Sequence, residues 1–185
     1  MIIKIKNLVE GACRRETNPF GYGDWEYHIL SVVANGKILA EKLGADMEIV
    51  ELAALLHDYA GILNIDFYPE HHIHGARLAE EILEKYNYPK EKIAKIQHCI
   101  LAHRGSIDIP QETIEAKIIC SADAMAHFDN IHSLMYLAFV EYKMNIDKGT
   151  HFVLDKLRRS WGKISLPDAR DIVKGKYEAA KKILE

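Results

Sequence analysis

Two side chains that bind metals well, His57 and Asp58, stand next to each other near the end of an apolar helical run, Ala53-Ala54-Leu55-Leu56-His57-Asp58-Tyr59-Ala60. Burying an unpaired carboxylate or imidazole there costs several kcal/mol or forces neutralisation. A His-Asp pair can satisfy itself, so the pair alone does not require an ion. A second acid, Asp123, lies in another largely apolar stretch, Ile118-Ile119-Cys120-Ser121-Ala122-Asp123-Ala124-Met125. Two apolar helices that each carry an acidic group point to a common partner, and a divalent cation fits because neutral imidazole and carboxylate are its usual ligands. His28, His74, His98 and His103 are the remaining candidates to join them. His28 precedes His57 by 29 residues, room for one helix and a turn.

The elements that must position these groups are helices. Period-3.6 patterning runs throughout, and strand-like alternation is confined to Ile2 to Ile5. Asp24 is placed to cap a helix that carries His28, Val32, Val33 and Leu39 and ends at Gly44. Asp46 is placed to cap a central helix from Met47 to about Tyr59. The stretch from Gly61 to His72 reads as a loop holding Pro69, with His71 and His72 solvated. A helix with Leu78, Ala79, Ile82 and Leu83 inward follows, and stops near Asn87-Tyr88-Pro89. The next runs from Pro89 through His103 and closes at Gly105. There Ile93, Ile96 and Ile100 mark the inner face, from which His103 lies about 20° and His98 about 160°. His103 is therefore the better ligand and His98 the reserve. Pro110 opens the segment with Asp123, Asn130 marks a break before Leu134 to Tyr142, Gly149 and Gly162 punctuate the tail, and Pro167 starts a last helix. The expected fold is an all-α bundle. Trp161 and Tyr177 would pack its tail on the core, and Arg158-Arg159 would decorate a helix face.

Composition excludes several classes. The 185 residues suit one domain, 49% of them hydrophobic and 28% charged, with a net charge of −3. That balance gives no clear nucleic-acid surface, so an anionic ligand must be drawn by a local site. Cys13, Cys99 and Cys120 are odd in number and lack paired spacing, which suits reduced thiols in a cytoplasmic protein. No apolar run reaches the ~20 residues of a membrane span. Ser106, Ser121 and Ser133 sit in no nucleophile motif, and there is no glycine-rich phosphate loop.

The order His28, His57-Asp58, later histidines, then Asp123 resembles the HD-domain metal-dependent phosphohydrolases over about residues 24 to 130. The resemblance implies one HD-type helical domain across 1–185, with the helices of about 131–185 packed on the motif-bearing core. It implies that His28, His57, Asp58 and Asp123 bind a primary metal, and that His74 and His103 add a second with Asp58 bridging. Catalytic roles would then fall to Asp58, His74 and His103. Such mixed ligands suit Mn²⁺, Fe²⁺, Co²⁺ or Ni²⁺ better than Mg²⁺. The expected activity is hydrolysis of a phosphate ester, a nucleotide or related small molecule, by metal-activated water. His127, one turn beyond Asp123, could touch the phosphate or hold a carboxylate from behind; Arg104, Lys37 and Arg77 are further substrate candidates. The rival functions are a di-iron oxygenase on the same fold and a non-catalytic nucleotide-binding module.

Overall fold

The computed structural model describes residues 1–105, 107 and 109–185; Ser106 lies outside them. Among the described residues there is no strand. The helices are α1 (Ile2–Cys13), α2 (Leu30–Leu43), α3 (Met47–Leu56), α4 (Tyr59–Leu63), α5 (His71–Lys85), α6 (Lys90–Ala102), α7 (Ile114–Asp129), α8 (Ile131–Tyr136), α9 (Ile146–Lys163) and α10 (Pro167–Leu184). A wide π turn, Trp25–Ile29, leads into α2, a 3-10 turn, Ile65–Glu70, leads into α5, and a second π turn, Leu137–Glu141, follows α8. The Ile2 to Ile5 alternation was misleading: these residues open α1, which buries Ile5, Val9, Ala12 and Cys13 on one side.

The expected start of the central helix and the expected end of the helix before it hold. Asp46 caps α3, its carboxylate accepting from the Glu48 and Ile49 amides at 3.1 and 3.3 Å. Gly44 ends α2 in the left-handed region at φ 67°, where glycine carries no steric penalty. Helix α3 is buried on nearly every side through Ile49, Val50, Leu52, Ala53, Ala54, Leu55 and Leu56. Each large apolar side chain there contributes about 1.5–3 kcal/mol on burial, together more than enough to carry two polar residues at its end. Helices α2, α6 and α7 surround α3, α5 pairs with α6, and α9 and α10 lie on α7. Trp161 of α9 and Tyr177 of α10 stack with ring centroids 4.7 Å apart, closing the tail onto Phe128 of α7.

Two expectations about punctuation fail. Gly149 lies inside α9 rather than between helices, because the Phe139 ring packs where its Cβ would be, and Gly162 falls within the last turn of α9. The stretch from Gly61 to His72 is not a loop: it comprises the end of α4, the 3-10 turn and the start of α5.

Candidate metal centre

The centre begins with a break in the central helix. Neighbours on an unbroken helix point about 100° apart, yet His57 Nε2 lies 3.2 Å from Asp58 Oδ2. The backbone of Asp58 leaves helical geometry, at φ −105° and ψ 4°, before α4 resumes at Tyr59. This turns the carboxylate onto the same point as the imidazole. From there Asp58 faces two groups at once. Its Oδ2 meets His57 and, at 3.3 Å, His28 Nε2 from the π turn. Its Oδ1 meets His71 Nε2 at 3.3 Å and His103 Nε2 at 3.7 Å. Asp123 of α7 completes the first group, with Oδ1 at 3.5 Å from His28 Nε2. Five segments of chain thus meet at the centre.

The imidazoles are aimed by their own backbone. Nδ1 of His57, His71 and His103 lies 2.8, 2.8 and 2.6 Å from the carbonyl oxygens of Ala54, Tyr68 and Ile100. A carbonyl only accepts, so each Nδ1 carries a proton, and whenever the ring is neutral its bare Nε2 faces the centre. The Nε2 atoms then meet in pairs: His28 with His57 at 3.2 Å and His71 with His103 at 3.1 Å. Two lone pairs do not approach this closely without a proton or a cation between them. Nitrogens bound ~2.1 Å from one ion at right angles stand ~3.0 Å apart, so both spacings suit a divalent metal. The groups His28/His57/Asp58, His28/Asp123/His127 and Asp58/His71/His103 could each hold one.

Charge at the centre is tuned by burial and neighbours. Burial pulls the His57 imidazole down, but the Asp58 and Asp123 carboxylates outweigh it and lift its pKa to about 9. Burial would raise both carboxyls; His57, His103 and His28 instead hold Asp58 well below its ordinary range, and Lys163, His127 and His28 do the same to Asp123. Burial, with His103 adding to it, lowers His71 and favours its neutral form although Asp58 opposes the shift. His127 is also kept neutral, by burial and then by the nearby Lys156 charge.

Several candidates sit differently from the sequence reading. His74 does not join the centre. Its ring stacks on Phe67 with centroids 4.4 Å apart, and the place assigned to it beside His103 is taken by His71, buried at the first turn of α5. His72 is buried as well, outside the three groups. The solvated-loop reading of both therefore fails, because the helix starts at residue 71. The phase test used on α6 could have found this: about Ala79, buried in α5, His71 lies ~80° away and His74 ~140°. His103 is at the centre, whereas His98 Nε2 accepts from the Glu112 amide at 3.1 Å. His127 stacks on His28, centroids 5.4 Å apart, and is held by Ser160 Oγ at 3.1 Å from Nδ1.

Lys37 pairs with Glu51 at 3.4 Å, Arg77 pairs with Glu81, and Arg104 donates to the Pro69 carbonyl, so none of the three is at the centre. Asp24 adopts helical angles and does not cap; its Oδ2 is buried and among the described residues has no hydrogen-bond partner. Burial and the Asp58 charge push its pKa up to about 6 against the pull of His28. Sequence reasoning missed Lys163, whose Nζ stands 3.6 Å from Asp123 Oδ2, and its neighbour Lys156. With Ser160 they fall at positions i, i+4 and i+7 of α9, one face of that helix.

The family model described as HD domain matches residues 25–127, and the chain belongs to that family. Ribonuclease Y of Alkaliphilus metalliredigens is 32% identical over 101 residues, 54% of this chain but 19% of that protein. An uncharacterized protein of Clostridium beijerinckii is 35% identical over 79 residues, 42% of this chain and 50% of its own. The chain therefore spans half or less of these curated relatives. The fold is similar to Bacillus subtilis YpgQ in complex with ADP, at a TM-score of 0.74 and 19% identity over 100% of this chain and 94% of that one. It is equally similar to an HD-superfamily hydrolase from Bacillus thuringiensis, at 0.74 and 18% identity over 99% and 92%.

Proposed function

We propose that the protein is a metal-dependent phosphohydrolase acting on a phosphate ester, a nucleotide or related small molecule, in the cytoplasm. The observation that carries this reading is the Asp58 carboxylate between two sets of converging Nε2 atoms. His28, His57, Asp58 and Asp123 would hold one ion, and His71, His103 and Asp58 a second; Mn²⁺, Fe²⁺, Co²⁺ and Ni²⁺ suit these ligands better than Mg²⁺. When bound, such ions supply Lewis acidity toward a phosphoryl oxygen and lower the pKa of water toward neutrality.

The chain's own residues do the rest. Asp58 reaches both sets and fixes their separation. The carbonyls of Ala54, Tyr68 and Ile100 lock three rings with Nε2 inward. His127, neutral and tethered to Ser160, lies beside His28 as a hydrogen-bonding group for an incoming phosphoryl oxygen. Lys163 and Lys156 supply positive charge beside Asp123, offsetting the negative charge that a phosphate would bring. The ADP named for the YpgQ complex and the ribonuclease relatives both support a phosphate-containing substrate. A panel of phosphate esters assayed with Mn²⁺, Co²⁺, Ni²⁺, Fe²⁺ and Mg²⁺ tests the reading. Metal-dependent release of phosphate or nucleotide is expected; a metal-loaded protein that turns over no ester, or that consumes oxygen with iron bound, overturns it.

A further inference from the structure

Beside the centre stand two aromatic rings that the bundle leaves half in solvent. Tyr68, on the 3-10 turn, stacks on His71 with ring centroids 5.3 Å apart and planes 17° from parallel. Phe20 lies against Tyr68, with centroids 5.3 Å apart and planes tilted by 54°. His71 is 7% exposed, whereas Tyr68 and Phe20 are 46% and 39% exposed. Large aromatic rings left this open, next to a site for anions, leave their apolar surface without a partner.

Three features hold these rings in place. The Phe20 segment is organised by Asn18, buried, whose Nδ2 donates to the carbonyls of Cys13 and Gly21 and whose Oδ1 accepts from the Phe20 amide at 3.0 Å. The Tyr68 turn is tied to the end of α6 by Arg104, which donates to the Pro69 carbonyl. Beneath both rings is Gly61 of α4: a Cβ there would stand 3.3 Å from the Tyr68 ring and 3.4 Å from that of Phe20. The seat is thus built on an absent side chain. An aromatic pair held by three separate segments suits a flat, rigid ligand better than an aliphatic chain.

We propose that Phe20 and Tyr68 form the stacking platform for the base of a nucleotide whose phosphate lies at the His/Asp centre, which rests on the phosphohydrolase reading above. A π face accepts any base, so the platform selects for nucleotides over sugar phosphates without specifying which base. The same chemistry serves a free mononucleotide or one base of a strand.

The test is calorimetric titration of the manganese-loaded full chain. The ligands are isosteres of adenosine 5′-monophosphate and ribose 5-phosphate in which methylene replaces the 5′ oxygen, so that no ester can be cut. The adenosine compound is expected to bind about tenfold more tightly. Phe20→Ala should bring the ratio close to one, with metal content and ribose-compound affinity as in the parent, while Phe20→Trp should keep the preference. Equal affinities in the parent, or a preference that survives Phe20→Ala, overturn the platform. An adenosine tetranucleotide with uncleavable phosphonate linkages, titrated alongside, separates the sources: tighter binding than the mononucleotide isostere, lost in Phe20→Ala, assigns the platform to a strand, and weaker binding assigns it to a free nucleotide. Because no turnover is needed, a protein inactive on every ester can still show the preference. An active one without it loses the platform alone.

Discussion

At the scale of single residues, Asp58 has the most consequence because its carboxylate meets both sets of imidazoles, one through each oxygen. Asp58→Ala is expected to lower bound metal from about two ions per chain to below one, whereas His71→Ala should lower it to about one and His74→Ala should leave it unchanged. Elemental analysis after identical manganese loading decides this; equal losses at His71 and His74 would sink the arrangement. His57 adds a pH dependence. Without metal its raised pKa, about 9 against an ordinary 6.5, means that the folded chain holds a proton there. That proton stabilises the metal-free fold fully below about pH 6.5, and the stabilisation disappears as pH rises through about 9. An entering ion must displace it, so metal affinity runs the other way and should tighten about tenfold per pH unit between roughly 7 and 9. Manganese titrations across that window test the sign, and a flat profile would mean that His57 holds no such proton.

Elements decide which of these residues can meet. The His57-Asp58 pair, His28, His103 and Asp123 were legible in the sequence because each lies in or beside a strongly apolar helical run whose phase fixes its direction. His71 was not, because Pro69 and three nearby histidines dilute the apolar signal just where α5 begins. Lys156 and Lys163 escaped notice for another reason: a lysine on an amphipathic helix looks the same whether its face meets solvent or a metal site, and only the packing of α9 on α7 tells them apart. The helix break at Asp58 was equally hidden, since an apolar run does not announce a local departure from helical angles. Gly75 of α5 is a further element-scale device. A Cβ there would lie 3.2 Å from Ile100 and 3.4 Å from the His57 carbonyl, so the glycine lets α5 approach α3 and α6 closely enough for His71 to reach Asp58. Gly75→Val should destabilise the fold by about 1–3 kcal/mol through overpacking and weaken the second ion more than the first. Thermal unfolding together with metal stoichiometry measures both; a stable variant with two ions would remove Gly75 from the account.

For the molecule as a whole, the centre is where otherwise separate helices are joined. The π turn before α2, the α3–α4 break, α5, the end of α6 and α7 contribute to it, and α9 closes against α7 from behind. Apolar packing holds these elements together without any ion, since the core around α3 is continuous. The polar atoms at the centre are nevertheless held against one another: two pairs of Nε2 atoms at 3.1 and 3.2 Å, and two carboxylates around them. An ion that binds only the folded chain adds stability by mass action, about 2.7 kcal/mol at a hundredfold excess over its dissociation constant. For a chain of this size each kcal/mol shifts Tm by roughly 2–4 °C. Stripping with a chelator should therefore lower Tm by about 5–10 °C, and adding Mn²⁺ should restore it. His74→Ala should keep the full shift, because its ring lies on Phe67, and Asp58→Ala should abolish it, because both sets lose their shared oxygen donor. The contrast excludes a general effect of divalent ions on an acidic surface, which would move both variants alike. A parent whose Tm ignores chelator and metal would mean that the converging imidazoles are held by protons and packing alone, and the phosphohydrolase reading would fall with the metal centre.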